Sequence, residues 1–304
     1  MSLLDQAHSL RELANRTSND VQAVVSRRRA AATSRTIAIT SGKGGVGKSN
    51  ITAGLAIALS RRGQRVIVVD ADLGLANIHL LFGVSPIYGL PHVISGQMPM
   101  EEVLFTGPEK VRLLAGGGEV AEVAQFAPDE RQRLLTAMKQ LEEMADFVLI
   151  DTGAGISSNV LTFLASATEL LLVTTPEPTA LADAYATLKT VAKQQLGTRM
   201  MLAINVVGNR TEGEATALRL VKTCRQFLQM EPEIIGLIPR DASVPIAVRR
   251  QQPLLTAFPQ CAAAQAISGI AERLLASKAV VVAGRTGAAS AGAAKSTRKI
   301  TSRL

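Results

Sequence analysis

Residues 42–49 read Gly42-Lys43-Gly44-Gly45-Val46-Gly47-Lys48-Ser49, and this stretch decides the fold. It fits the pattern G-x-x-x-x-G-K-[ST], in which backbone N–H groups and a lysine surround phosphate groups. An apolar, β-branched run at 36–40 precedes it, and a helical pattern begins at residue 51. Strand, glycine loop and helix in this order predict a phosphate-binding loop. The alternative is a plain glycine turn between strand and helix.

The residue types in the loop suit ATP or a similar triphosphate together with Mg²⁺. Glycines let backbone N–H groups approach a phosphate closely, and the start of the following helix attracts anions. We expect Lys48 at the β- and γ-phosphates and the Ser49 hydroxyl at Mg²⁺. The predicted cofactor-binding residues here are Gly42, Gly44, Gly45, Val46, Gly47, Lys48, Ser49 and Asn50.

Two further apolar runs end in carboxylates. The run 66–69 leads into Asp70 and Asp72, and the run 147–150 leads into Asp151. Ligands of open α/β sheets bind at the carboxyl ends of parallel strands, where these side chains would lie. We expect Asp151 to hold Mg²⁺ through water, and Asp72 to orient or deprotonate the attacking water. Asp70 is equally well interpreted as a turn former or helix cap.

Composition limits the class of protein. The 304 residues suffice for one large α/β domain with tails or for two small domains. Hydrophobic residues make up 47% and aromatic residues 3%, which predicts an aliphatic core. No apolar stretch approaches the ~20 residues of a membrane span, and no signal-peptide pattern is present. Cys224 and Cys261 are too far apart in sequence to indicate a disulfide framework or a metal site, so we expect a cytoplasmic protein.

The net charge of +8 is concentrated at the two ends. Residues 1–35 carry six arginines and three acids, whereas residues 276–304 carry six cations and no acid. The body between them is therefore close to neutral. Basic ends favour polyanions, but they also serve simply to keep a protein in solution.

The body alternates between strand and helix patterns, which predicts an α/β fold with a mostly parallel, twisted sheet and helices on both faces. The composition of the tail from Ala276 onward predicts disorder. Strands are predicted near 36–40, 65–70, 111–115, 146–151, 169–175, 199–206 and 233–238. Helices are predicted near 48–62, 128–145, 157–167, 179–196, 212–229 and 261–275.

The loop at 42–49 resembles the deviant phosphate loop of the MinD/ParA ATPases. The segments 70–77 and 151–155 resemble the two switch segments of that family, and 238–241 and 247–253 resemble its flagellar branch, the FlhG/FleN proteins. The resemblance covers about residues 36–275. It implies a P-loop NTPase fold and a slow, Mg²⁺-dependent ATP hydrolase that regulates flagellar number or placement.

The N-terminal segment also carries a family motif. Residues 5–11 match D-Q-A-x-x-L-R, which in FlhG forms a short helix that activates the flagellar GTPase FlhF. The resemblance implies three parts: a partner-activating helix and linker at 1–35, an ATPase domain at 36–275 and a flexible basic tail at 276–304. An amphipathic helix packed on its own domain is the alternative for the N-terminal segment. The predicted partner-binding residues are Asp5, Gln6, Ala7, Leu10 and Arg11.

The resemblance assigns catalysis to Lys43, Lys48 and Asp72. In the family, the residue at the position of Lys43 reaches across an ATP-dependent homodimer to the phosphates of the other subunit, where positive charge stabilises the transferring phosphoryl group. Glu177 resembles a family position near the ribose at that interface, although a surface-loop residue is an equal alternative.

The prediction of the nucleotide base depends on the absence of the motif that recognises guanine. Guanine is read by Asn-Lys-x-Asp, and no such acid follows Asn205. Adenine is therefore the better choice, with Asn205, Pro239 and Asp241 as its expected contacts. The alternative for Asn205 is a strand-end residue that only makes hydrogen bonds.

The sequence also bears on the binding partners of the protein and on an alternative function. The resemblance to FleN implies a flagellar transcription activator as a second partner, besides the FlhF-like GTPase. The last ten residues offer only Ile300 and Leu304 as bulky apolar groups, so we expect weak or absent membrane binding and, at most, transient contact with the inner membrane or cell pole. The near-neutral body argues against direct nucleic-acid binding unless the basic tails do the binding. A ParA- or MinD-type positioning ATPase acting on DNA or cell-division proteins is the alternative function.

Overall fold

The computed structural model of the chain describes residues 34–74, 76–116, 126–194 and 198–277. The predicted N-terminal partner motif at 5–11 and the tail beyond Ser277 lie outside these residues.

An eight-stranded sheet in the order β3-β4-β2-β5-β1-β6-β7-β8 forms the centre of the molecule. All neighbouring strands are parallel except β3 and β4, which are antiparallel. The sheet is therefore mostly parallel, as predicted. The strands are β1 (Arg35–Thr40), β2 (Val66–Ala71), β3 (Phe105–Thr106), β4 (Arg112–Leu114), β5 (Phe147–Thr152), β6 (Glu169–Thr174), β7 (Arg199–Val207) and β8 (Glu233–Pro239).

Helices cover both faces of the sheet, because successive side chains of a strand point to opposite faces and both faces are apolar. Ile37 and Ile39 of β1 belong to one core, whereas Ala38 between them belongs to the other. The helices are α1 (Lys48–Ser60), α2 (Ile78–Phe82), α3 (Leu90–Ile94), α4 (Met100–Val103), α5 (Pro128–Met144), α6 (Ser158–Ser166), α7 (Pro178–Lys193), α8 (Arg210–Leu228), α9 (Ser243–Arg249), α10 (Leu254–Ala257) and α11 (Ala262–Ala276).

Each core is built mainly from its own set of long helices. Residues of α1 and α11 pack with one face of the sheet, and residues of α5, α6, α7 and α8 pack with the other. Every predicted strand and every predicted long helix is present within a few residues of its expected bounds. The two-residue strand β3 and the short helices α2, α3, α4, α9 and α10 were not predicted, because segments of this length contain too few residues for a periodic pattern.

The sheet topology creates the site. Strand β1 lies between β5 and β6. Strands β2 to β5 lie on one side of β1 and strands β6 to β8 on the other, so the strand order reverses at β1. Ligand sites of doubly wound folds lie at such a switch point, outside the carboxyl ends of the strands. The register of β2 and β5 places Asp70 directly beside Asp151 at this edge. Within the described ranges, no helix combines the length and apolar character that crossing a membrane requires.

Candidate functional site

The loop between β1 and α1 depends on its glycines. Gly45 and Gly47 have φ angles of 78° and 92°, a region that side-chain-bearing residues rarely adopt. A Cβ at Gly42 would lie 2.2 Å from the backbone carbonyl of Asp183, so α7 approaches the loop too closely for any side chain. A Cβ at Gly44 or Gly45 would meet nothing within 4 Å, so these residues present bare backbone to open space.

Asn205 supports this loop from the carboxyl end of β7. Its Nδ2 donates a hydrogen bond to the Val46 carbonyl oxygen at 2.8 Å. The same amide leaves no space for a side chain at Gly47, where a Cβ would lie 2.3 Å from Nδ2. Asn205 therefore acts on the loop backbone in this structure, and its contact with an adenine base stays a prediction.

Asp241 likewise has a structural role in the described fold. Its two carboxylate oxygens accept hydrogen bonds from the backbone N–H groups of Ser243, at 2.8 Å, and Ala263, at 3.1 Å. These bonds lower the pKa of Asp241 to about 2. Asp241 thereby ties the starts of α9 and α11 together. Neither Asp241 nor Pro239 lines the cavity beside the loop, so their predicted base contacts remain untested.

Asp151, like Asp70, is an almost completely buried carboxylate of the site. Lys48, in the first turn of α1, places its positive charge near it, and Ser49 and Thr52 donate side-chain hydrogen bonds to it. The bond from Thr52 Oγ1 to Asp151 Oδ1 is 3.0 Å long. Burial nevertheless raises the pKa of Asp151 above its ordinary value, because the cation and the hydrogen bonds offset the loss of water only in part.

Thr52 was missed by sequence reasoning. It follows Ser49 by three residues, so both hydroxyls lie on one face of α1. That spacing was the available signal. The spacing indicates a shared role for the two hydroxyls only once the fold places Asp151 beside that face of the helix.

Asp70 organises the segment that follows β2. Its carboxylate accepts hydrogen bonds from the backbone N–H groups of Asn77 and Ile78, both at 3.0 Å, and of Asp72 at 3.3 Å. It therefore holds the start of α2, in agreement with the helix-cap interpretation. Burial first, and the neighbouring charge of Asp151 second, raise the pKa of Asp70 to about 7.

A cavity of about 810 Å³ opens beside the loop. Its volume lies within the range of small-molecule sites. Asp72 also lines this cavity and lies close to Gly153, where a Cβ would lie 3.6 Å from Asp72 Oδ1. The structure therefore brings the phosphate loop and both predicted switch segments to one cavity. Among its lining residues are Gly44, Gly45, Gly47, Lys48, Ser49, Asn50, Asp72 and Gly153.

The donor set fits Mg²⁺ held jointly with phosphate. In the part of the chain that the structure describes, no cluster of three or more His, Cys, Asp or Glu residues is placed to hold a metal alone. Ser49 and Asp151 instead offer one hydroxyl and one carboxylate that are already in contact. Mg²⁺ usually takes one or two protein oxygens and completes its shell with substrate phosphates and water. The buried, incompletely compensated Asp151 is consistent with that arrangement.

Lys43 has a different environment from Lys48. Its Nζ contacts Glu177 Oε2 at 2.8 Å and Thr179 Oγ1 at 3.2 Å, and both side chains of the ion pair are largely exposed. This contact lowers the pKa of Glu177. Lys43 does not line the cavity of its own chain.

Comparison with known proteins agrees with this geometry. The model of the CobQ/CobB/MinD/ParA nucleotide binding domain matches residues 37–254. The antiactivator FleN of Pseudomonas aeruginosa is 37% identical over 78% of this chain and 85% of its own length. The flagellum site-determining protein YlxH of Helicobacter pylori is 34% identical over 79% of this chain and 81% of its own.

Solved structures have the same fold. The septum site-determining protein MinD of Pyrococcus horikoshii, complexed with Mg-ADP, is 28% identical to this chain. Its superposition has a TM-score of 0.65 and covers 79% of this chain and 96% of that structure. The predicted fold class is therefore confirmed.

Proposed function

This chain belongs to the CobQ/CobB/MinD/ParA nucleotide-binding family, and from that premise we propose that it is a Mg²⁺-dependent ATPase switch that regulates flagellar number or placement. The observation that carries the proposal is the cavity in which Lys48, Ser49 and Asp72 meet the bare backbone of the glycine loop. The FleN and YlxH relatives support the flagellar role.

Each residue of the cavity has a proposed task. The loop N–H groups and Lys48 bind the phosphates, and their positive charge matches the charge that develops on the transferring phosphoryl group. Asp72 orients the attacking water and accepts its proton as the water oxygen attacks the γ-phosphorus; the bond from that phosphorus to the β–γ bridging oxygen breaks, and ADP leaves with the bonding electron pair. Ser49 and Asp151 would hold Mg²⁺, which offsets negative charge on the phosphate oxygens. Thr52 fixes the orientation of the Asp151 carboxylate.

ATP is proposed to control association of two copies. Facing loops that carry Lys43 and Lys48 repel each other, whereas phosphates between them remove that repulsion. In the dimer, Lys43 would exchange Glu177 for the phosphates of the second copy. The nucleotide then favours the dimer through contacts that the single copy does not make, as a ligand-controlled switch requires.

Calorimetry tests the nucleotide part of the proposal. The full chain, titrated with a non-hydrolysable ATP analogue and Mg²⁺, is expected to bind one nucleotide per chain. Lys48→Ala should weaken that binding about ten- to a hundredfold, because hydrogen bonds to charged groups contribute ~1.5–3 kcal/mol. The matched control Lys222→Ala, at an exposed position of α8, should bind normally. Absence of binding by folded wild-type protein would remove the proposal.

The partner part concerns residues 1–35. We propose that this segment stimulates an FlhF-like GTPase through Asp5, Gln6, Ala7, Leu10 and Arg11, and that the dimer also binds a flagellar transcription activator. Residues 36–275 would form the ATPase and residues 276–304 a basic tail. A truncation should end at residue 33, because Arg35 pairs with the buried Glu169 of β6.

A substitution within the motif separates partner stimulation from folding. Gln6→Ala in the full chain is expected to abolish stimulation of the GTPase while ATP hydrolysis by this chain stays unchanged. Ser9→Ala is the matched control, since the motif leaves that position open. Equal GTPase stimulation by both variants would contradict the proposed partner-binding role.

A further inference from the structure

A second cavity, of about 380 Å³, lies at the opposite edge of the sheet, where β2 and β4 begin. A six-residue strand spans roughly 20 Å, so this cavity is well separated from the phosphate loop. It is lined, among others, by Gly63, Gln64, Arg65, Lys110, Arg112 and Met144. None of these residues belongs to the site described above.

Positive charge dominates this cavity. Among the residues that the structure describes, its lining includes Arg65, Lys110 and Arg112 but no carboxylate. Asp146, which does not line the cavity, is bound by Arg65 at 2.7 Å. Arg112 donates one hydrogen bond to the Met144 carbonyl oxygen at 2.8 Å. Burial and, second, the like charge of Arg65 lower the pKa of Arg112. Like charges held together in this way favour an anion between them.

The backbone beside the cavity is strained. Glu109 and Lys110 have φ angles of 54° and 63°, and two consecutive non-glycine residues in the left-handed region cost conformational free energy. Two contacts with the end of α1 hold Glu109 in place: its carbonyl oxygen accepts a hydrogen bond from Ser60 Oγ at 2.6 Å, and its carboxylate binds Arg61 at 2.8 Å. The turn thereby keeps Lys110 at the cavity. Strain of this kind is concentrated at ligand clamps.

We propose that this second cavity is a binding site for a compact phosphate-bearing anion, such as pyrophosphate or a phosphate monoester, with Lys110 and Arg112 as its principal ligands. Arginine offers several N–H donors in a planar fork that matches phosphate oxygens, and lysine adds a point charge. The cavity has less than half the volume of the one beside the phosphate loop, which favours a small anion over a whole nucleotide. None of the described residues that line it is acidic, so no side chain among them would hold a divalent cation beside the anion.

The position of the cavity lets a bound anion act on the ATP site through helix α1. Helix α1 begins at Lys48 in the phosphate loop and ends at Ser60, which lines the second cavity. An anion between Lys110, Arg112 and the turn after α1 therefore lies at the far end of the helix that carries Lys48 and Ser49. The inference does not depend on the proposed function, because the second cavity binds its ligand whether or not the first hydrolyses ATP.

Calorimetry with pyrophosphate as the probe tests the site. The full chain carrying Lys48→Ala, which removes competition from the phosphate loop, is titrated without Mg²⁺ and is expected to bind one pyrophosphate. Adding Lys110→Gln should weaken this binding about ten- to a hundredfold, as expected for loss of a charged hydrogen bond. The control Lys222→Gln removes the same charge from an exposed position of α8 and should leave the affinity within a factor of two.

The same Lys110→Gln and Lys222→Gln substitutions are compared in the otherwise unchanged chain, in case Lys48→Ala fails to fold. There, Lys110→Gln should abolish one of two binding events. Acetate is titrated in parallel and should bind far more weakly than pyrophosphate. The proposal is overturned if folded Lys48→Ala protein takes up no pyrophosphate at millimolar concentration, if Lys110→Gln binds as well as Lys222→Gln, or if acetate binds equally well.

Discussion

The central sheet has an amino edge, where its parallel strands begin, and a carboxyl edge, where they end. Buried charges are arranged in opposite ways at these two edges. At the amino edge, Arg35 and Arg199 both bind Glu169, and Arg199 also binds Glu233. At the carboxyl edge, Asp70 and Asp151 lie side by side, and burial raises the pKa of both. The first edge is internally compensated and stabilises the fold. The second holds excess negative charge that a ligand-bound cation can relieve.

The largest effect is expected from breaking the compensated edge. Glu169→Ala leaves Arg35 and Arg199 without their buried partner and should lower the free energy of unfolding by about 3–5 kcal/mol. Urea denaturation followed by circular dichroism measures this loss. The control Glu233→Ala removes a half-exposed partner of the same Arg199 and should cost about 0–1 kcal/mol. Similar losses for both variants would refute the contrast between buried and exposed pairing.

The buried carboxylate Asp70 at the carboxyl edge should make the free energy of unfolding depend on pH. The pKa of Asp70 is raised from 3.8 to about 7, so between these values the folded protein binds more protons than the unfolded chain. Without ligand, the stability contribution of Asp70 is therefore greatest below pH 4 and falls as pH rises towards 7. The loss is at most roughly 4 kcal/mol, at about 1.4 kcal/mol per pKa unit.

Denaturation at several pH values, with and without Asp70→Asn, measures this effect. The variant should lose the part of the pH dependence between pH 4 and 7 that Asp70 contributes, whereas Asp151, whose pKa is also raised, still contributes its own part. An unchanged pH dependence in Asp70→Asn protein would assign the effect to other groups.

A smaller effect is expected at Thr52, which supports Asp151. Thr52→Val keeps the shape of the side chain but removes its hydrogen bond to a buried carboxylate, which should lower the free energy of unfolding by about 1.5–3 kcal/mol. Thr162→Val is the matched control, because the Thr162 hydroxyl donates to the Ser158 carbonyl oxygen and to no carboxylate among the described residues. Loss of stability in the control but not in Thr52→Val would contradict the assignment.

The smallest effect on stability is expected at the exposed pair of Lys43 and Glu177. Glu177→Gln should leave the thermal unfolding midpoint unchanged, because exposed ion pairs contribute little. It frees Lys43, so we expect a modestly tighter dimer with an ATP analogue in sedimentation experiments. A weaker dimer would mean that Glu177 itself serves the interface between the two copies.

Much of the fold was predictable, because strands β1, β2 and β5 each contain an apolar run, and the runs of β2 and β5 lead directly into Asp70 and Asp151. The phosphate loop was predictable because its function requires particular residues at fixed spacing. Thr52 and the structural role of Asn205 were not, because each depends on which strand lies opposite a helix or loop. The buried partnership of Arg35 with Glu169 joins residues far apart in sequence and leaves no local pattern.

The side chain of Arg35 also connects two parts of the chain that are far apart in sequence. Its guanidinium also donates to the carbonyl oxygens of Leu274 and Ser277, so the first strand and the last helix meet at one corner of the molecule. Circular permutation is usually tolerated where the ends of a folded body lie close together. A permutant that joins Ser277 to Ser34 through a short glycine-rich linker, with new termini opened in a surface turn, should therefore fold.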